Sequence, residues 1–331
     1  MAKLSEPSPE LETPAPTRCF RVIANARAGT VLEAGADSFS QRLEAAFEAA
    51  GCRAEVELVQ PRQLRERLQA AVADDVLIPV IAGGDGTING ALPVLVGCKR
   101  PVGVLPLGTV NVLGRDLGFT GTLEQQVAAL CQGEPVSMDI GSVDGHLFHS
   151  ISGMGFFSLM ARQREYARRR FPFSRLVAFL FAATRSILFT RSIRIEMEIA
   201  GERRQVEADA VLVTVNQFDG AEWRRSRLDG GEFEVHILDT GGLLSRSKVA
   251  FSMLTGGWRN SQHLISLTGT AVTITRRDKH RGHVTFDGEV ERRASPFAYR
   301  LLPGALRVIA ARPAELQTEL ESFPAEYQFP S

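Results

Sequence analysis

Between residues 19 and 137, short apolar runs alternate with stretches of helical period. "CFRVIAN" (19–25) predicts a strand. "FSQRLEAAFEAAG" (39–51) sets Leu43, Phe47 and Ala50 on one helical face, with Gly51 as the stop. "RAEVELV" (53–59) predicts the next strand and "QLRERLQAAVA" (63–73) the next helix. "VLIPVIA" (76–82) and "PVGVLPLG" (101–108) follow as strands without charged positions. Such runs suit a parallel sheet covered on both faces. The expectation is a three-layer α/β domain of nucleotide-binding type over 19–138, its sheet mostly parallel.

After residue 138 the rhythm changes to strict alternation. "IRIEMEIAGERRQVEADAVLVTVNQ" (193–217) reads as a hairpin turning at Ala200-Gly201. "EFEVHILD", "TAVTITRRD", "HVTFDGEVERR" and "FAYRLLPGALRVIA" continue in short strands. An antiparallel β-sandwich over 139–304 is expected. Between the two patterns lies a basic helical segment, 157–190. The opening "MAKLSEPSPELETPAPT" is rich in Pro and Glu and lacks an apolar core. It predicts a disordered tail over 1–18 rather than a signal peptide.

Composition narrows the class. The 331 residues are 44% hydrophobic and 23% charged with a formal net charge of zero, as in ordinary soluble proteins. The charge is unevenly spread. Residues 161–194 hold nine arginines against one acid, Glu165. Two readings stay open: a solvated helix face, or a membrane-surface segment with Phe171, Phe173 and nearby leucines entering the interface. Nucleic-acid binding is not expected, because no reader motif accompanies the arginines. "LVAFLFAATRSILF" (176–189) carries Arg185 and is shorter than the ~20 residues a spanning helix needs. Cys19, Cys52, Cys98 and Cys131 form no CxxC pair, which suits reduced thiols in a cytoplasmic protein.

The candidate chemistry begins at "VIAGGDGTING" (80–90), where Gly83, Gly84 and Gly86 follow an apolar strand and precede a helix expected from about Thr87. Such a loop can turn backbone N–H groups toward an anion at a helix N-terminus. It is neither GxxxxGK[ST] nor GxGxxG. Asp85 beside a phosphate makes sense with Mg²⁺ between them; a tight turn with a helix-capping aspartate is the other reading. "LPLGTVNVLGRDLG" (105–118) repeats the strand, Gly-Thr, helix order with Gly108, Thr109 and Asn111. "IANARAG" (23–29) adds Asn25, Arg27 and Gly29. All three loops would lie at the carboxyl edge of one sheet, where ligands of open α/β folds bind.

"GGDGT", then "LPLGTxN", then "FDGE" (286–289) in this order resembles the diacylglycerol kinase catalytic-domain family, which includes bacterial lipid kinases and sphingosine kinases. The resemblance runs from "VIANARAG" to "PGALRVI". It implies a nucleotide domain plus a β-sandwich, with 305–327 returning to the first domain. It implies that Gly83, Gly84, Asp85, Gly86, Thr87, Ile88, Asn89 and Thr109 contact ATP and that Asn25 holds the first loop; Arg27, Gly29, Gly108 and Asn111, from the sheet-edge reading, complete the candidate ATP site. Asp287 and Glu289 would serve a lipid hydroxyl, one of them as proton acceptor, and Asp85 would act with Mg²⁺. The implied reaction moves the γ-phosphate of ATP to a lipid such as diacylglycerol, with peripheral membrane contact; a homodimer is compatible with it. Three positions depart from the family. Asn25-Ala26 replaces Asn-Pro, Val112 stands where Asp follows "GTxN", and "LDGGEF" (228–233) replaces a DDG loop that binds a structural metal. Only Asp229 could substitute there. A soluble NAD or sugar-phosphate kinase, or a non-catalytic lipid- or nucleotide-binding regulator, are the alternatives.

Overall fold

A computed structural model describes residues 18–311 except 172–173, 219–223, 240–241, 243–246, 249–251 and 253–256. The tail over 1–17, Phe173 and the returning segment 312–327 fall outside the described residues. Arg18, expected in the tail, is already anchored: its guanidinium donates to the carbonyls of Cys131 and Gly133.

The first unit runs β1 (Cys19–Asn25), α1 (Gly29–Ala34), α2 (Ala36–Ala49), β2 (Arg53–Val59), α3 (Leu64–Ala73), β3 (Ile78–Gly83), α4 (Asp85–Leu95), β4 (Gly103–Pro106), α5 (Val112–Asp116) and α6 (Leu123–Gln132). Its sheet is wholly parallel in the order β2-β1-β3-β4. Helix α2 exists because Phe39, Leu43, Ala46 and Phe47 repeat on one face, and that face is buried. It packs on β2 and α6, while α3 and α4 pack together against β1 and β3. Helices thus cover both faces, as the apolar strands require. The strand order places β2 on one side of β1 and β3 on the other, so the crevice for a ligand opens at the carboxyl ends of β1 and β3.

The second unit comprises two six-stranded antiparallel sheets. Its elements are β5 (Glu134–Val143), β6 (His146–Phe148), β7 (Ile151–Gly155), α7 (Phe156–Arg170), α8 (Arg175–Phe189), β8 (Ile193–Ile199), β9 (Glu202–Ala208), β10 (Ala210–Val215) and β11 (Phe233–Leu238). A 3₁₀ turn (Gly257–Asn260) precedes β12 (Leu264–Gly269), β13 (Ala271–Arg276), β14 (Arg281–Phe286), β15 (Glu289–Ala294) and β16 (Phe297–Ala310). One sheet is ordered β12-β11-β10-β7-β14-β15 and the other β6-β5-β16-β13-β8-β9. The alternation in β8 is the packing pattern itself: Ile193, Ile195, Met197 and Ile199 are buried, Arg194 and Glu198 exposed. Ala200 (φ 50°) and Gly201 (φ 81°) make the expected tight turn.

Two strands join the units. Met138 and Ile140 of β5 belong to the first core and Val143 to the second, so residue 138 falls inside a strand. Strand β16 shifts register between Leu302 and Leu306, after which Leu306, Val308 and Ile309 enter the first core. Val102 there donates to Arg307 and accepts from Ile309. The basic segment is a helical hairpin of α7 and α8, closed by Ala167, Ala178 and Ala182 with Met160, Phe171 and Phe181. No described helix is long and apolar enough to cross a membrane.

Candidate functional site

The three predicted loops meet at the carboxyl edge of the parallel sheet. Asn25, at the end of β1, donates from Nδ2 to Thr87 Oγ1 at 2.8 Å, and its Oδ1 accepts from Arg27 N at 2.9 Å. The first loop is thus locked to the second. Gly83 and Gly84 are small for a reason visible in the packing. A Cβ on Gly83 would sit 2.5 Å from the Thr87 side chain, and one on Gly84 would sit 3.3 Å from Gly108 Cα. What approaches these glycines is first of all the neighbouring loop. The N–H groups of Asp85, Gly86 and Thr87 open the first turn of α4, where helical geometry leaves donors without intrahelical partners; of these, Thr87 N turns back to Gly84 O. Helix α4 begins at Asp85, two residues before the expected start at Thr87.

The third loop closes on itself and on Asp85. Asn111 is left-handed (φ 50°), its Oδ1 accepts from Gly108 N at 2.8 Å and its Nδ2 donates to Gly108 O at 2.9 Å. The Asp85 carboxylate accepts from Asn111 N at 3.0 Å and Val112 N at 2.8 Å. Asp85 therefore caps α5, the helix of the next loop, rather than its own. Each oxygen keeps a free lone pair. Among the remaining predicted residues, Arg27, Gly29 and Thr109 are exposed at the rim. Asn89 is buried with Oδ1 lacking a hydrogen-bond partner. Ile88 is fully buried in the first core, so its side chain holds the helix down and faces no ligand.

The sandwich delivers the two acidic candidates to the same place. Asp287 (φ 48°) and Gly288 (φ 92°) form the two-residue turn between β14 and β15, a geometry that asks for Asp-Gly or Asn-Gly. The hairpin reading of "FDGE" is therefore met at Asp287-Gly288. The Asp287 carboxylate is 2% exposed and accepts from His149 N (2.8 Å), Ser150 N (3.0 Å) and Ile151 N (2.9 Å). It orders the strand entry before β7. Glu289 differs in every respect. No described residue donates to its carboxylate, and its Oε1 lies 2.9 Å from where a Cβ on Gly86 would be. The Glu289 side chain thus stands against the bare backbone of Gly86. Partial desolvation, with the charges of Glu291 and Asp287 adding to it, holds the Glu289 carboxyl above the ordinary carboxylate range.

Residues 19–143 match the family described as the diacylglycerol kinase catalytic domain. The chain is 30% identical to the diacylglycerol kinase of Bacillus subtilis (strain 168) over 227 residues, which cover 67% of this chain and 73% of that one. The chain belongs to the diacylglycerol kinase catalytic-domain family. It is also 27% identical to the diacylglycerol kinase of Staphylococcus carnosus (strain TM300) over 52% of this chain and 58% of the relative. In fold it is similar to a crystal structure of a diacylglycerol kinase from Bacillus anthracis str. Sterne, with a TM-score of 0.62 at 16% identity over 90% of this chain and 97% of that one.

Two departures from the family pattern now have a structural account. Val112, in place of the family's aspartate, contributes its backbone N–H to Asp85, so that position helps hold the loop without a side-chain charge. In the "LDGGEF" loop, Asp229 is half exposed and paired with Arg227, and among the described residues no cluster of three metal-ligating side chains occurs. The loop is held instead by Asp139, which accepts from Gly231 N and Gly304 N, each at 2.8 Å. A Cβ on Gly230 would lie 2.8 Å from Asn216 Oδ1. Asp229 stands at the surface as the ion-pair partner of Arg227. Sequence reasoning missed Asp139, in the middle of β5, and the 149–151 amides at the junction of β6 and β7.

Proposed function

We propose that this protein is an ATP-dependent lipid kinase that transfers the γ-phosphate of ATP to a lipid hydroxyl, with diacylglycerol the first candidate acceptor. The observation that carries this is the unbonded Glu289 carboxylate standing against Gly86 of the glycine loop. The helix α4 N-terminus and the bare loop backbone suit the triphosphate, whose charge would be met by N–H groups and Arg27. The free lone pairs of Asp85 suit Mg²⁺, which prefers one or two carboxylates plus phosphate oxygens; bound there it would neutralise charge on those oxygens. Glu289 takes the proton as the lipid oxygen attacks phosphorus and the bond to the ADP oxygen breaks. Asp287 holds the turn that aims it. The test is radiolabelled ATP with a total lipid extract, the labelled lipid then identified. Label on NAD or a sugar phosphate alone, or no transfer at all, would each replace this reading.

A proton acceptor must be ionised, so the rate is expected to fall as pH drops through the Glu289 pKa. Because that pKa is raised, the acid limb of kcat should lie above the ordinary glutamate value of about 4.3. A pH profile flat down to that value would remove Glu289 from the role.

The α7–α8 hairpin supplies the membrane contact of this reading. Leu176, Val177, Leu180 and Leu188 line α8 at helical spacing and face solvent, Leu176 being 68% exposed and Leu180 53%. An apolar stripe left open beside Arg162, Arg164, Arg168, Arg170 and Arg185 fits an interface of acyl chains under anionic headgroups. Sedimentation should favour anionic over neutral vesicles and weaken with salt. Changing Arg168 and Arg170 to Glu should lower binding by on the order of ten- to thirty-fold, from about 1 kcal/mol per basic residue. Equal binding to neutral vesicles would assign the arginines to a solvated face.

A further inference from the structure

Asp116 and Arg225 form an ion pair whose two side chains are wholly buried, 109 residues apart in sequence. Asp116 ends α5, the helix that Asp85 caps. Arg225 comes from the second unit. Its Nε donates to Asp116 Oδ2 at 2.8 Å, its second terminal nitrogen lies 2.7 Å from the same oxygen, and its own N–H donates to Asp116 Oδ1 at 2.9 Å. The other terminal nitrogen donates to His149 O at 2.6 Å and Val215 O at 3.3 Å. The guanidinium also lies over the Phe218 ring, 5.4 Å from its centroid.

His149 is the hinge of the argument. Its carbonyl accepts from Arg225 while its N–H donates to Asp287. A closed circuit results: Asp85 to α5, Asp116 to Arg225, His149 to Asp287, and Glu289 back to Gly86 beside Asp85. One side of that circuit is the approach of Glu289 to the glycine loop. The other is this buried strut.

We propose that Asp116 and Arg225 are positioning residues, a strut that sets the distance between the glycine loop and the Asp287–Glu289 turn. This rests on the kinase reading given above. Stability alone is a weak reason for such a pair, because burying two charges costs desolvation that apolar residues of similar volume avoid. A planar fork that donates through Nε to a carboxylate and through a terminal nitrogen to a carbonyl does what apolar packing does not: it holds the two at a fixed angle. Small displacements of a reacting group lower rates steeply.

The test compares the parent with Asp116→Leu/Arg225→Met, which removes both charges together, and with Arg225→Lys, which keeps the charge and loses the fork. Diacylglycerol in mixed micelles serves as acceptor. The expected result is a kcat lower by about 10²-fold, with ATP affinity within a few-fold and ATP-binding stoichiometry unchanged. Amide exchange at His149–Ile151 should rise at least ten-fold. A merely structural role would lower stoichiometry in step with kcat, which would overturn the proposal. Parent kcat and parent exchange in a folded double variant would overturn it too. Should the double variant not fold, Arg225→Lys is read by the same criteria. A parent that labels no lipid sinks the kinase reading instead, and the exchange measurement still decides the strut.

Discussion

Glu289→Gln is expected to cut lipid phosphorylation by about 10²–10⁴-fold while melting and ATP affinity stay close to the parent. Glutamine keeps the shape of the side chain and loses the ability to take a proton. Little else should change, because no described residue donates to this carboxylate. The group is also held above its ordinary pKa chiefly by desolvation, so the neutral amide removes a strained charge rather than a stabilising one. Asp287→Asn must behave differently. Its two oxygens accept three backbone N–H groups in a site 2% exposed. An amide offers one acceptor oxygen and turns N–H against N–H at the other. Bonds to a charged group contribute about 1.5–3 kcal/mol each, so a loss of roughly 2–4 kcal/mol in stability is expected together with lost activity. Measured side by side, kinetics and thermal melting separate the proton acceptor from the residue that aims it. Full activity in Glu289→Gln, or an unshifted melting temperature in Asp287→Asn, would reverse the assignment.

How much of this was legible beforehand depends on the range of the cause. β1 and β2 were readable end to end because a short strand pattern bounded by helix and turn signals is a local fact. The turn at Ala200-Gly201 was equally local. The glycine loops could be placed on one sheet edge, since each follows a strand. Their glycines, however, answer mainly to each other and to Glu289, and contacts across 62 or 203 residues leave no periodic trace. Asp287 and Glu289 could not be told apart, because their difference lies in the 149–151 amides that only the fold brings to Asp287. Arg225 sits in "WRRSRLD", where nothing distinguishes it from Arg224 and Arg227 beside it. The apolar stripe on α8 was visible as apolar, but its exposure could be known only once α7 was seen to cover the opposite face. In each case the missing term was a partner distant in sequence.

Asp85→Asn should lower phosphate transfer by at least 10²-fold, and the structure says why ATP affinity should fall with it. An aspartate in a glycine loop can serve as a ligand for Mg²⁺ or as a cap. Asp85 is a cap, of a helix in another loop: Oδ1 accepts from Val112 N at 2.8 Å and Oδ2 from Asn111 N at 3.0 Å. Those bonds pin the left-handed Asn111, which in turn closes the Gly108 loop. Asparagine can satisfy one of the two donors and must point its NH₂ at the other. The loop at Gly108 then loses its tie to Gly84, and the two glycine backbones that now touch are free to separate. Losing a helix cap costs about 1 kcal/mol, far below what unfolds a domain of this size. The variant should therefore stay folded. Binding is a different matter, since the phosphate cradle is made from both loops at once. A Mg²⁺ role through the remaining lone pairs would add to the rate loss without changing the affinity for metal-free ADP. Titrating ADP with and without Mg²⁺ into Asp85→Asn therefore separates the two tasks. Weakened binding in both conditions is the mark of the cap, and weakening only with Mg²⁺ present is the mark of the metal. A folded variant with parent kcat and parent ADP affinity would leave Asp85 with neither.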